Sequence, residues 1–470
     1  MSDTLSLFRY KKPHLIGIKG AGMTALAELL LRNGMAVTGS DTDEVFFTDE
    51  ILNRLGIVVE VGFAPEHIPE DADLIIYSTA YTPERNTELA AALASKRPVL
   101  SYPEALGLLT REKLTLAVCG THGKTTTSAL LADTLEYLGQ DPSAIVGSRI
   151  ISWGGNALAG HGNYLVLEAD EYQNKLAHYQ PFAVILTSVD YDHPDFFLTE
   201  QSYEQAFIDF VARIPAQGVL VYCADSASVV RIAEHAHCRK VSYGTHKEAE
   251  FRVTDYLPVT PGFVTEKDMF RQSLSVVTGE QAESYRLRLA GVHNALNATA
   301  VVALLSTLGL KNERVTAALE RFTGTERRFE YIGERYGAML YDDYAHHPEE
   351  LRVTLRAFRD LYPDKKITAI FHPHSFTRTE ALLSEFAQSF DDADRVYVLD
   401  IYGSAREVAG HVSSADLVNE LNRYFPGKAE YVTDSMALTT ELEKTMGRND
   451  VIITVGAGNV WEISHALAKR

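Results

Sequence analysis

Cys119-Gly120-Thr121-His122-Gly123-Lys124-Thr125-Thr126-Thr127 stands between an apolar run, Leu114 to Cys119, and a stretch, Thr125 to Leu138, whose apolar residues recur at helical spacing. Gly120 and Gly123 let backbone N–H groups close around phosphate oxygens at a helix N-terminus, Lys124 adds a point charge, and the Thr125 hydroxyl can reach a magnesium ion. With Thr121, His122 and Thr126 completing the turn, the segment reads as a nucleotide phosphate cradle. It departs from the GxxxxGK[ST] pattern, because Val118 stands five residues before Gly123. General P-loop status does not follow, and a structural glycine turn is the plainer alternative.

Further polar groups follow predicted strands. Glu168-Ala169-Asp170-Glu171 comes after Tyr164 to Leu167, and Asp190-Tyr191-Asp192-His193 after Ala183 to Thr187. Ligands collect at the C-terminal edge of an open parallel sheet, and carboxylates with an imidazole beside a phosphate cradle suit magnesium. Each segment alone is more often a solvated loop. Asn294 and Asn297 in Gly291-Val292-His293-Asn294-Ala295-Leu296-Asn297 share a helix face and can present amides to a purine edge, or Asn294 can cap the helix. Asp342-Asp343-Tyr344-Ala345-His346-His347-Pro348 concentrates more polar groups than a plain turn needs. Gly17-Ile18-Lys19-Gly20-Ala21-Gly22 with Ser40-Asp41 about twenty residues on is an irregular version of a dinucleotide fingerprint: a helix start for a diphosphate with Asp41 for a ribose or base, or a turn with a capping Asp.

The elements that must position these groups are short apolar strands alternating with helices. Strands are expected at His14 to Ile18, at Ala36 to Thr38 ending in Ser40-Asp41, at Leu74 to Ser78 and near Pro98 to Leu100, with a helix over Met23 to Leu31. Tyr102 to Lys113, with Pro103, Gly107, Arg111 and Glu112, reads as a hinge. A second set of strands includes Leu114 to Cys119 and Val219 to Tyr222, followed by a β-rich patch near Phe251 to Leu289. A third set falls at Met339 to Tyr341, Ile367 to Phe371, Val396 to Leu399 and Val451 to Val455. The expectation is an α/β chain of three domains.

Length and composition agree. The 470 residues exceed one hydrophobic core, and 46% hydrophobic with 23% charged residues is a globular balance. The net charge of −19 disfavours nucleic acid. Cys119, Cys223 and Cys238 are too few for a disulfide framework, which suits a reducing cytosol. Met1 to Lys12 is polar without a signal-peptide core, and no stretch is long enough to span a bilayer, so a cytoplasmic protein without a membrane partner is expected. Oligomeric state is not legible.

Taken in order, GTHGKTTT, EADE, the Asp192-His193 pair, GVHNALN, Gly324 to Glu330 (GTERRFE) and DDYAHHP resemble the Mur ligase family over essentially the whole chain. The resemblance implies a Rossmann-like N-terminal domain at 1–110 for a UDP-sugar, a central P-loop-type ATPase domain with a parallel sheet at 111–325, and a Rossmann-like C-terminal domain at 326–470 for an amino acid. Three features fit the branch that joins L-alanine to UDP-N-acetylmuramate: the GIKGAGM and GSD segments, DDYAHHP, and Val398 to Tyr402 with Val412-Ser413-Ser414. Phe207 stands where several other members carry a carbamylated lysine.

By the same resemblance, ATP and Mg2+ are cofactors. Lys124 would hold the ATP phosphates, Thr125, Glu168 and His193 the metal, Asn294 and Asn297 the adenine, and Asp343 the ribose. Arg328 would meet the transferring phosphate. Gly17, Gly20, Ala21, Gly22, Asp41 and Ser78 would take the UDP portion, while Glu171, Tyr344, His346, His374 and Arg378 would line the acyl-phosphate and amino-acid side, with His346 as candidate base. The chain departs from the family at Lys19, Phe63 and Ser188, and at Ser375, where an arginine is usual. The continuation EADEYQNKL also resembles the recycling ligase that attaches a preformed tripeptide. Rivals from other classes are a nicotinamide-dependent oxidoreductase built on the Gly17 to Gly22 turn and a regulatory nucleotide-binding protein without turnover.

Overall fold

The computed structural model describes residues 6–194, 196–258, 271–403 and 410–469. Part of the polar Met1 to Lys12 stretch and of the β-rich patch therefore lies outside the described residues. Strands and helices alternate over much of the chain, and the central strands are buried on both faces, as parallel sheets require.

Five parallel strands form the first sheet: β1 (Pro13–Ile16), β2 (Thr38–Asp41), β3 (Val59–Val61), β4 (Leu74–Tyr77) and β5 (Val99–Ser101), in the order β3-β2-β1-β4-β5. The chain leaves β1 toward β2 and β3, then returns to β4 on the other side, so the strand order reverses between β1 and β4. Gly17 to Gly22 and Ser78 follow those two strands directly. The helix after β1 is Ala21–Arg32, two residues longer at its start than its apolar spacing announces.

The second sheet carries β6 (Leu114–Cys119), β7 (Ser143–Ile150), β8 (Gly155–Ala159), β9 (Tyr164–Glu168), β10 (Ala183–Leu186), β11 (Val219–Cys223) and β12 (Arg239–Gly244) in the order β12-β11-β10-β6-β9-β7-β8. Only the β7/β8 pair among these is antiparallel. β6 is the first strand of this set, and its neighbours β9 and β10 come later from opposite sides. The ends of β6, β9 and β10 thus gather the glycine turn, the acidic segment and the Asp192-His193 pair at one edge. Three further strands, β13 (Phe251–Pro258), β14 (Gln272–Thr278) and β15 (Gln281–Leu287), account for the described part of the β-rich patch.

The third sheet has β16 (Glu330–Arg335), β17 (Ala338–Asp343), β18 (Lys366–His372), β19 (Arg395–Val398), β20 (Ala429–Tyr431) and β21 (Asp450–Gly456) in the order β16-β17-β21-β18-β19-β20, parallel except for β16 with β17. Its core is aromatic: Phe329 stacks on Phe358 with ring centroids 4.0 Å apart, and Tyr341 packs edge-on against Phe358 at 4.8 Å.

The described residues group into two compact units. One holds the chain up to Arg252 with Val277–Gln281 and Asn297–Phe322; the other holds Val253–Val276, Ala282–Leu296 and the chain from Thr323 on. The division falls inside the helix Val292–Thr307.

Two expectations need correction. The strand expected from Ala36 to Thr38 and ending in Ser40-Asp41 is β2, which starts only at Thr38 and runs through Gly39 and Ser40 to Asp41. The ladder to β1 (Leu15↔Gly39, Ile16↔Ser40) decides its register and buries polar residues that propensity would leave in a loop. The expected hinge at Tyr102 to Lys113 is largely a helix, Tyr102–Leu109. Its capping box joins Ser101 to Glu104, Pro103 sits in the first turn, and Ala105, Leu106 and Leu109 are buried. Pro103 was therefore a helix-start signal rather than a break. Replacing Leu106, 1% exposed, by Ala is expected to lower stability by about 2–5 kcal/mol, read as a clear drop in thermal midpoint; an unchanged midpoint would mean that the segment is not packed.

Candidate active site

Gly120 and Gly123 adopt φ of 132° and 78°. A Cβ on Gly120 would lie 2.2 Å from Thr187 Oγ1, and one on Gly123 would lie 2.7 Å from Asn297 Oδ1. The turn is thus closed from two sides, and the helix Lys124–Tyr137 starts directly on it with no side-chain cap, leaving its first N–H groups aimed along the turn.

Thr121 and His122 tie this turn to the segment after β10. Thr121 N donates to Ser188 O at 2.8 Å, and His122 N donates to Ser188 Oγ at 2.9 Å, so the departure at Ser188 supplies an acceptor to the loop. Asp190 N donates to Thr121 Oγ1 at 2.8 Å, the Tyr203 hydroxyl lies 2.9 Å from the same oxygen, and His122 Nε2 approaches Asp190 Oδ2 at 3.5 Å. Phe207, at the position of the absent lysine, is buried against Tyr203 with ring centroids 5.2 Å apart.

Lys124 folds back onto its own turn. Its ammonium donates to Gly120 O and to Thr121 O (3.0 Å), and lies 3.2 and 3.0 Å from the two oxygens of Glu171. Burial works against this charge, but Glu171 and Asp170 outweigh it and hold the amine above its ordinary pKa, so it remains an ammonium. Thr125 Oγ1 donates to Glu168 Oε1 at 2.6 Å, and the other oxygen of that carboxylate accepts Gly147 N at 2.6 Å.

Asp170, Glu171 and His193 bring three potential ligand atoms within 4.8 Å of one another. Of the expected metal residues, Thr125 and Glu168 meet each other, while His193 joins Glu171 at 3.8 Å. His193 has a left-handed φ of 58°, and its ring packs on Tyr172 at 4.6 Å. Two carboxylates, an imidazole and a nearby carboxylate–hydroxyl pair form a hard, oxygen-rich donor set that suits Mg2+. Asp170 was not singled out from the sequence, although it stands in the acidic segment; it also pairs with Lys175. The thiol of Cys119 is fully buried, which raises its pKa and leaves it inert.

In the same unit, Asp41 accepts Lys19 N (2.7 Å), Thr42 N (2.8 Å) and the Tyr81 hydroxyl (3.1 Å), fixing the Gly17 to Gly22 turn over β2. Lys19 reaches Asp49 at 2.9 Å and Glu44 O at 2.9 Å, so this departure pins the loop after β2. Ser78 closes a turn by accepting Tyr81 N at 3.1 Å, and Phe63 packs on the Tyr81 ring at 4.6 Å. Gly20 begins the helix Ala21–Arg32 without a side-chain cap.

The second unit gathers another polar group at the ends of β17 and β18. Asp343 accepts Phe329 N (2.7 Å) and Ala345 N (2.8 Å); burial raises its carboxyl to about 6 against the opposing pull of Arg328 and those N–H groups. Arg327 is committed to Asp342 (2.9 Å) and Gly456 O (2.5 Å). Arg328 lies over the Tyr344 ring at 5.1 Å and 4.0 Å from Glu350, and its buried Nε has no hydrogen-bond partner among the described residues. His346 Nδ1 lies 3.0 Å from Tyr344 O and 3.4 Å from Glu350, with the His374 ring edge-on at 6.3 Å. Ser375, at φ 73°, caps the helix Phe376–Ala381 by accepting Arg378 N at 3.3 Å. Burial lowers His293 to about 4, helped by the Arg328 charge. The helix Val292–Thr307 carries Asn294, whose amide donates to Ala290 O at 2.7 Å, and Asn297, which faces Gly123.

Family models match residues 12–114 (Mur ligase family, catalytic domain), 118–305 (Mur ligase middle domain) and 327–458 (Mur ligase, glutamate ligase domain). The chain belongs to the Mur ligase family. A relative from Desulfitobacterium hafniense named UDP-N-acetylmuramate--L-alanine ligase is 38% identical, with 97% of this chain and 98% of that protein covered. One of the same name from Salinibacter ruber is 35% identical over 99% of this chain and 96% of that one. The crystal structure of the UDP-N-acetylmuramate-alanine ligase of Thermotoga maritima aligns with a TM-score of 0.78 at 27% identity, covering 98% of each chain.

Replacing Lys124 by Ala is expected to lower ATP turnover by at least about 10²–10³-fold, since it removes the one side-chain cation on the turn. The fold should survive, because burial already pushes the Glu171 carboxyl up, and losing the Lys124 charge that holds it down shifts it further toward the uncharged form. Turnover within a few-fold of the parent protein, measured by ADP release, contradicts this role.

Proposed function

We propose that this Mur ligase joins L-alanine to UDP-N-acetylmuramate through an acyl phosphate, consuming ATP in peptidoglycan precursor synthesis. The observation that carries the proposal is the Lys124 turn, with Thr125 tied to Glu168 and an ammonium held charged by Glu171, in a chain covered end to end by L-alanine ligases at 35–38% identity. Residues 1–110 are assigned to the UDP-sugar, 111–325 to ATP and 326–470 to the amino acid. Gly17, Gly20, Ala21, Gly22, Asp41 and Ser78 hold the UDP portion; the uncapped start of Ala21–Arg32 offers N–H groups to a diphosphate.

In the forward reaction a carboxylate oxygen of the sugar acid attacks the ATP γ-phosphorus and ADP leaves. The N–H groups of residues 120–126 and Lys124 steady the phosphates, and Arg328 takes up charge on the transferring group. Asn294 and Asn297 are assigned to the adenine and Asp343 to the ribose. Thr125, Glu168 and His193, with Asp170 and Glu171 beside them, would hold Mg2+, which when bound neutralises phosphate charge. The amine of alanine then attacks the acyl carbon, phosphate departs, and His346, oriented by Tyr344 O and Glu350, accepts the amine proton. Tyr344, His374 and Arg378 line the amino-acid side.

Among the described residues no helix is long and apolar enough to cross a membrane, which supports a cytoplasmic site of action. The tripeptide-adding and oxidoreductase readings have no comparable support: full-length relatives carry the L-alanine name. With purified protein, ATP and magnesium, ADP release should require both UDP-N-acetylmuramate and L-alanine. Faster turnover with the tripeptide, or release independent of the sugar acid, contradicts the proposal.

A further inference from the structure

The helix Tyr102–Leu109 brings its first residue to an unexpected place. The Tyr102 hydroxyl lies 2.4 Å from where a Cβ on Gly22 would sit, so only glycine there admits the phenol. The hydroxyl also feels the charges of Asp170 and Glu168. The Gly17 to Gly22 turn and the Glu168 carboxylate are joined independently: Asn156 donates to both Ala21 O (2.8 Å) and Val146 O (3.0 Å), and Gly147 N donates to Glu168. Tyr102 therefore contacts the turn assigned to the UDP portion, in a region where that turn is tied through Asn156 and Gly147 to the strand end carrying Glu168.

We propose that the Tyr102 hydroxyl donates a hydrogen bond to the acid arm of the nucleotide sugar as that arm passes from Gly22 toward Glu168; this deepens, and rests on, the ligase reading. The chemistry of the position argues for it. A substrate carboxylate brought toward Glu168 and Asp170 meets like charge, and a neutral donor relieves that repulsion without competing for the phosphates as a lysine would. Burial, followed by those two carboxylates, raises the phenol's pKa, so it remains a donor at any working pH. No hydrogen bond to this hydroxyl is formed among the described residues, whereas the hydroxyls of Tyr81 and Tyr203 in the same unit are both engaged.

The test is Tyr102→Phe, which keeps the ring packed on Gly22 and removes only the donor. The thermal midpoint and the dissociation constants of UDP and of a nonhydrolysable ATP analogue should stay within about twofold, while kcat/KM for UDP-N-acetylmuramate falls about ten- to a hundredfold, the range for a hydrogen bond to a charged group. An unchanged kcat/KM overturns the assignment. So does an equal loss of UDP affinity, since UDP lacks the acid arm and such a loss would put the contact at the diphosphate. If the parent protein releases no ADP with UDP-N-acetylmuramate and L-alanine, the ligase reading fails, and this one fails with it; a normal parent with an indifferent variant overturns only the role of Tyr102.

Discussion

The Lys124 ammonium, held among Gly120 O, Thr121 O and Glu171, is the interaction on which the rest of this molecule depends. A buried charge of this kind is tolerated only with partners of opposite sign close by. β9 ends at Glu168 and delivers Glu171 from one side of β6; β10 delivers Ser188 and Asp190 from the other, where they fix the turn that carries Lys124. The carbonyls and carboxylate that hold the lysine also define what can displace it: a group with more negative charge than Glu171 presents, which a triphosphate has. In the proposed function, the parked lysine and its grip on a nucleotide are two states of the same electrostatics.

Much of this was legible in the sequence for a simple reason. A strand buried on both faces needs an unbroken apolar run, and Leu114 to Cys119, Leu74 to Tyr77 and Val451 to Val455 supply one, followed at once by polar residues that can only be at the sheet edge. The GTHGKTTT turn is legible because few residue types fit a backbone with two left-handed glycines facing Thr187 and Asn297. β2 and β3 were harder. Thr38–Asp41 takes its register from a parallel ladder with β1, and Val59–Val61 is a strand because β2 in turn offers it one; no local pattern announces β3. β7 and β8 also went unread, since their pairing with one another and with β9 is set by tertiary packing.

Side-chain roles were legible only by type. The acidic segment promised carboxylates near phosphate, and only the family resemblance separated Glu168 from Glu171; the structure ties Glu168 to Thr125 and Gly147 and groups Asp170 and Glu171 with His193. The family resemblance singled out Arg328, and composition alone gave no reason for it; Arg327 is consumed by Asp342 and backbone carbonyls, whereas the Nε of Arg328 is left without a partner among the described residues. Departures that look disruptive on paper have plain structural uses: Lys19 pins the loop after β2, Ser188 accepts His122 N, and Ser375 caps the helix bearing Arg378.

The most direct test of the central claim is a crystal structure with magnesium and a nonhydrolysable ATP analogue. The account predicts β- and γ-phosphate oxygens within hydrogen-bonding distance of the N–H groups of residues 120–125, with the Lys124 ammonium moved from Glu171 onto the phosphates. A nucleotide bound elsewhere, with Lys124 still resting on Glu171, would contradict it.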